Sequence, residues 1–249
     1  MTEIAILEVC CGNYQDAFVA SQAGAARIEL NSALFLGGLT PTLSSLRLTK
    51  QTTNLQVICM VRPRGAGFCY TDAEFKEILT TAEIFLANQA DGLSFGFLTA
   101  TGEIDTVRTL QLVELTHDYG AKAVFHRAID CSANLEQGIN KLIDLQVDRV
   151  LTSGGQVTAW IGRKAIANLQ KKFGQQIEIL AGSGINPTNV QLLLETTGIK
   201  QVHASCTAER IDATARGNQV DFSYLLQTKH GSYEAVSKQK VRNLLAELN

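Results

Sequence analysis

A single (β/α)8 TIM-type barrel with a C-terminal helix is the fold class predicted for this chain, and three observations predict it. Short apolar runs alternate with helical stretches eight times, no Pro/Ser-rich linker divides the chain, and 249 residues is a size at which such barrels occur as one domain. Short strands joined by helical crossovers pair in parallel. Eight of them close on themselves and leave no edge strand. An open doubly wound sheet is the alternative architecture.

The runs come in a regular order. They are IAILEVC from Ile4, ARIELN from Ala26, LQVICMVR from Leu55, DGLSFGF from Asp91, AKAVFHR from Ala121, VDRVLTS from Val147, IEILAG from Ile177 and KQVHAS from Lys200. Between them, Thr71 followed by Glu74 makes a capping box ahead of the periodic stretch from Phe75. Asn186-Pro187 predicts a helix start, a cap followed by a residue with a pre-set φ. The polar segment 207–227 reads as a long loop after the eighth strand, and 232–248 as the C-terminal helix, so the domain organisation is one barrel over residues 1–249.

Composition excludes several classes. Hydrophobic residues make up 45% and charged residues 18%, enough for a large core and unlike a disordered chain. A net charge of -2 argues against a broad nucleic-acid surface. No run of eighteen apolar residues spans a membrane. The opening MTEIAILEVC reads as a strand without a basic segment or cleavage site, so the expected location is cytoplasmic. Six cysteines, at 10, 11, 59, 69, 131 and 206, form no C-x-x-C, which predicts reduced thiols.

Strand parity then orients the chemistry. Leu7 and Val9 share one face of the first run, Glu8 and Cys10 the other; Ile28 and Leu30 share one face of the second, Arg27, Glu29 and Asn31 the other. The helix-facing side of a barrel must be apolar, so the polar sets point inward. Arg27 and Glu29 lie deeper and suit either an internal ion network or a ligand site. The residues at the carboxyl ends of the runs favour a ligand, because barrel sites lie at that face.

Two chemistries fit those ends. In the first, Glu8, Glu29, His126 and Asp130 are acid/base candidates, while Arg62, Arg64 and Arg127 clamp a small anionic or phosphorylated ligand. Ser153, Gly182, Gly184, His203 and Ser205 join that anion-binding set, because Gly-rich loops beside a helix start offer backbone amides. In the second, Cys10 is a metal ligand, with His126 or His203 across the mouth. Cys11 faces away from Cys10, and Cys59 reads as a buried small hydrophobe. A third reading makes the 207–227 segment an interaction module.

At these same residues the chain resembles the copper homeostasis protein CutC family. The matching motifs are Leu7-Glu8-Val9-Cys10, Arg27-Ile28-Glu29-Leu30, Gly37-Gly38-Leu39-Thr40-Pro41 and Met60-Val61-Arg62-Pro63-Arg64-Gly65. Further along come Phe125-His126-Arg127-Ala128-Ile129-Asp130, Leu151-Thr152-Ser153-Gly154 and Val202-His203-Ala204-Ser205. The resemblance implies a cytoplasmic barrel, a homo-oligomer (dimer or tetramer) and Cu(I) as ligand. Two departures stand out: Asn31 occupies a position where many members carry Cys, and Gly182-Ser183-Gly184 replaces three glycines.

Overall fold

The computed structural model describes residues 5–222 and 231–248. Eight parallel strands, β1 (Ile6–Cys11), β2 (Arg27–Leu30), β3 (Gln56–Met60), β4 (Gly92–Phe95), β5 (Lys122–Phe125), β6 (Arg149–Thr152), β7 (Glu178–Gly182) and β8 (Gln201–Ala204), form a closed barrel in sequence order. β8 pairs back onto β1, placing Glu8 opposite His203, while β1 and β2 place Cys10 opposite Glu29. Seven strands lie within the apolar runs, and β1 runs one residue past the end of its own, to Cys11. The helices of the crossovers are α1 (Tyr14–Ala23), α2 (Leu43–Thr52), α3 (Asp72–Ala87), α4 (Thr106–Asp118), α5 (Leu135–Asp144), α6 (Arg163–Phe173) and α7 (Val190–Thr197).

Local chemistry starts these helices. The side chains of Asn13, Thr42, Thr71, Asp105 and Asn134 each accept a first-turn backbone N–H, and Thr71 and Glu74 form the reciprocal capping box. α7 begins later than Asn186-Pro187 predicts. Asn186 instead accepts the N–H and hydroxyl of Thr188 in a preceding turn, and the helix proper starts at Val190.

The C-terminal part departs from expectation. Thr207–Ile211 is a strand, β9, rather than the opening of a loop, and 223–227 lie outside the described residues. Ser232–Val236, expected as the first turns of the last helix, forms β10, antiparallel to β9; helix α8 spans only Lys238–Ala246. β10 buries Ser232, Ala235 and Val236 and exposes Tyr233 and Glu234, with no period-2 alternation, and the pairing partner lies more than twenty residues upstream, so only tertiary contact selects strand over helix. The buried Asp16 ties this hairpin to the barrel: it accepts the N–H of Gly12 at 3.0 Å and of Val236 at 2.8 Å.

The two faces of the barrel wall segregate as parity requires. Leu7, Val9, Ile28, Leu30, Val57, Cys59, Leu93, Phe95 and Phe125 pack in the core between strands and helices. On the inner side, the floor is an ion network. Glu8 Oε2 meets Arg27 Nε at 2.7 Å and Arg149 Nη1 at 3.6 Å, while Glu178 Oε2 receives Arg149 Nη2 at 2.6 Å. Gln201 accepts from Arg27 at 2.6 Å and donates to Glu178 at 2.9 Å, closing the ring. Burial alone would raise the Glu8 pKa, but the hydrogen bond from His203 and the charges of Arg27 and Arg149 override it and hold the carboxyl at about 2, against an ordinary 4.5.

Higher in the interior, space is made for one imidazole. Gly96 follows β4, and a Cβ there would lie 2.5 Å from His126 Cε1 and 2.5 Å from Ala128 Cβ.

Two outcomes test this interior. Glu8→Gln leaves Arg27 and Arg149 buried beside a neutral amide and is expected to destabilise the fold by about 3–5 kcal/mol in urea unfolding at pH 7. Because the Glu8 pKa is depressed on folding, its contribution is complete above pH 4.5 and is lost as pH falls toward 2. The gap between wild type and variant therefore closes over that interval, and a pH-independent gap contradicts the network. Gly96→Val is expected to cost about 1–3 kcal/mol through overpacking against His126; a thermal midpoint equal to wild type contradicts it.

Candidate functional site at the barrel mouth

Above the floor, the carboxyl ends of the strands open into a cavity of about 560 Å3. Cys10, Glu29, Arg62, His126, Arg127, Asp130, His203 and Ser205 all line it, so eight of the sequence candidates converge. Leu34, Met60, Phe68, Leu151, Ser183, Thr207 and Glu234 line it too. Sequence reasoning missed these, apart from Ser183, which belongs to the Gly182-Ser183-Gly184 loop it singled out. Met60 and Leu151 share inward parity with named candidates, but Thr207 and Glu234 arrive only through the β9–β10 pairing.

One half of the mouth gathers metal-ligating atoms. The Cys10 thiol, a Glu29 carboxylate oxygen and a His203 ring nitrogen lie within 4.8 Å of one another, the one such cluster among the described residues. His203 Nδ1 is 3.0 Å from Glu8 Oε1, and its Nε2 is 3.8 Å from Glu29 Oε2. Glu8 therefore grips one ring nitrogen from below and turns the other toward Cys10 and Glu29, as a carboxylate behind a metal-ligating His does. Burial works against a charged His203 ring, yet hydrogen bonds to Cys10 and Glu8, with the Glu29 charge, hold its pKa well above 6.5. Burial raises the Cys10 thiol pKa, and His203 offsets part of that rise. Asn31, where a thiol is expected, is buried and donates its amide to Glu29 Oε2 at 2.9 Å and to Cys10 Sγ at 3.5 Å.

The other half is built from β3 and β5. His126 Nδ1 accepts the Ala128 N–H at 3.0 Å, which puts the ring proton on Nε2; that nitrogen is buried without a partner. Burial, then the Arg62 charge, lowers the His126 pKa to about 3, so the ring is neutral. Arg62 is 5% exposed, donating to the carbonyls of Leu36, Gly38 and Ala66. Its Nε has no partner.

Several expected roles change. Glu8, expected as an acid/base group, belongs to the floor and does not line the cavity. Glu29, read together with Arg27 as lying deeper, sits in the mouth instead. Arg64 leaves the rim: it pairs with Glu74 and lies over the Tyr70 ring. The capping-box carboxylate that starts α3 captures it. Arg127 lines the mouth but is paired with Asp130 at 2.9 Å. The clamp of three arginines thus reduces to Arg62.

The Gly-rich loop after β6 is also already filled. Asp130 accepts the backbone N–H of Ser153 at 2.9 Å and of Gly155 at 2.9 Å, together with the hydroxyls of Thr152 at 2.5 Å and Ser153 at 2.9 Å. Asp130 and Ser153 are thus hydrogen-bonded to each other. After β7, Gly182 packs against Leu151 and His203, and Gly184 (φ +71°) lies against Thr158; neither glycine lines the cavity.

No described helix is long and apolar enough to cross a membrane. The CutC family model matches residues 5–208. The CutC family protein of Treponema denticola is 44% identical over 212 residues, 85% of either chain, and that of Vibrio vulnificus is 39% identical over 206 residues, 82% of either chain. The crystal structure of CutC from Streptococcus agalactiae superposes with a TM-score of 0.76 at 30% identity, covering 81% of this chain and 99% of that one. Phosphoribosyl anthranilate isomerase from Thermotoga maritima, at 9% identity and a TM-score of 0.57, shares the fold alone. With the family model and these relatives spanning the barrel, the chain belongs to the CutC family.

Proposed function

We propose that this protein serves copper homeostasis by holding Cu(I) as cargo at the barrel mouth, between the Cys10 thiolate and His203 Nε2. The observation that carries the reading is the presentation of His203: Glu8 anchors one nitrogen, and the other is turned to a thiol and a carboxylate within 4.8 Å. Thiolate and imidazole are donors suited to Cu(I). Asn31 supports the thiolate with an N–H where a second sulfur would have supplied a ligand. Glu29 is a harder donor and contributes charge beside the ion. His126, the other imidazole considered for the ion, does not belong to the cluster.

The setting is cytoplasmic in this reading, and the free state of all six cysteines supports a reduced compartment. Homo-oligomeric assembly completes it, supported by apolar side chains left exposed after β8, Ile211, Val220, Phe222 and Tyr233 among them.

Anaerobic Cu(I) titration against a chromophoric competitor tests the site. Cys10→Ala is expected to weaken binding at least 100-fold, since one of two good donors is gone; equal affinity refutes the site. Cys10 and His203 both hold their protons tightly at neutral pH, so Cu(I) must displace them. Apparent affinity is therefore expected to rise steadily between pH 6 and 9 with proton release, measured by titration in buffers of different ionisation enthalpy. A flat profile contradicts ligation by these two groups.

A further inference from the structure

The Arg62–His126 half of the mouth is built for a ligand that the copper reading does not use. Arg62 is a permanent cation, 5% exposed, and forms no ion pair among the described residues. Its three accepting partners are neutral carbonyls. The neighbouring Tyr70 phenol gives no counter-charge either, because burial raises its pKa. A buried guanidinium without a carboxylate is costly, and such groups are ordinarily paired or bind an anion.

His126 adds a second donor of a different kind. Its Nε2–H is buried and unpartnered, and an orphaned buried donor is costly. The two groups flank one ring: Phe68 lies 5.1 Å from the Arg62 guanidinium carbon and 4.9 Å from the His126 ring centroid. Both side chains line the same cavity. Gly96 is required for the imidazole to sit there at all, so the chain gives up a side chain on β4's extension to place this donor.

We propose that this wall binds the carboxylate of a small organic acid, one oxygen accepting from Arg62 Nε–H and the other from His126 Nε2–H. Three features select a carboxylate over phosphate. Two single N–H donors match two oxygens. The other guanidinium of the mouth, Arg127, is already paired with Asp130, so a dianion would find no second free guanidinium there among the described residues. Leu34, Met60, Phe68 and Leu151 give the cavity an apolar lining for a short carbon chain. The volume of about 560 Å3 falls in the ordinary range for small-molecule sites, about 300–1,000 Å3. The site does not depend on copper.

The test uses the full chain without copper, with butyrate and inorganic phosphate as probes and chloride to match ionic strength. The readouts are the His126 Nε2–H resonance in 15N-labelled protein and the thermal midpoint. Butyrate is expected to shift that resonance saturably at millimolar concentration and to raise the midpoint, with Arg62→Met weakening the effect at least tenfold. A response to phosphate alone, or to neither probe, overturns the proposal. If Arg62→Met does not fold, the wild-type resonance titration decides by itself, and Arg64→Met serves as the matched control expected to bind butyrate like wild type. An equal loss in Arg64→Met would show nonspecific charge binding and also overturn it.

Discussion

The carboxylate of Glu8 is the joint on which both levels of the barrel interior depend. From below, it neutralises Arg27 and Arg149, two guanidiniums that no bilayer of apolar side chains could hold. From above, its other oxygen fixes His203. A buried ion pair is a weak source of net stability, but removing one partner leaves charge stranded in a medium that cannot solvate it. The network therefore acts mainly as a specification. It dictates where β1, β2, β6 and β8 stand relative to one another, and thereby where Cys10 and Glu29 meet His203.

The mouth above that joint divides by chemistry. Strands β1, β2 and β8 contribute sulfur, carboxylate and an anchored imidazole, while the ends of β3 and β5 contribute N–H donors and a cation. The two imidazoles illustrate the division. His203 sits among carboxylates and keeps its proton; His126 sits beside Arg62 and gives it up. The same side chain is a charged donor in one place, where hydrogen bonds to Cys10 and Glu8 outweigh burial, and a neutral one in the other, where burial and the Arg62 charge act together.

Much of this was legible from residues alone, for identifiable reasons. The period-2 alternation in IAILEVC and ARIELN assigns Glu8, Cys10, Arg27 and Glu29 to the interior, because the helix-facing side admits only apolar groups. Depth was not legible. Whether Glu8 or Glu29 lies at the floor depends on the stagger between strands, which pairs Cys10 with Glu29 and Glu8 with His203, and no local pattern encodes that stagger. Arg64 carried the right chemistry, but the capping carboxylate of Glu74, ten residues away, was a nearer partner than any ligand. The strand at Ser232–Val236 was hidden because its pairing partner is distant in sequence.

Asp130 shows what it means for a barrel to carry its own anion. Loops after the later strands of such barrels commonly hold phosphate with backbone amides. Here the amides of Ser153 and Gly155 close around a covalently attached carboxylate. A phosphorylated metabolite diffusing to this loop would have to evict a tenant that never leaves and would meet its like charge on arrival. The side chain thus fills the loop as a bound anion would, from within the chain. Replacing Asp130 with a small neutral residue would leave the amides of Ser153 and Gly155 without their acceptor and the loop after β6 without its internal anchor.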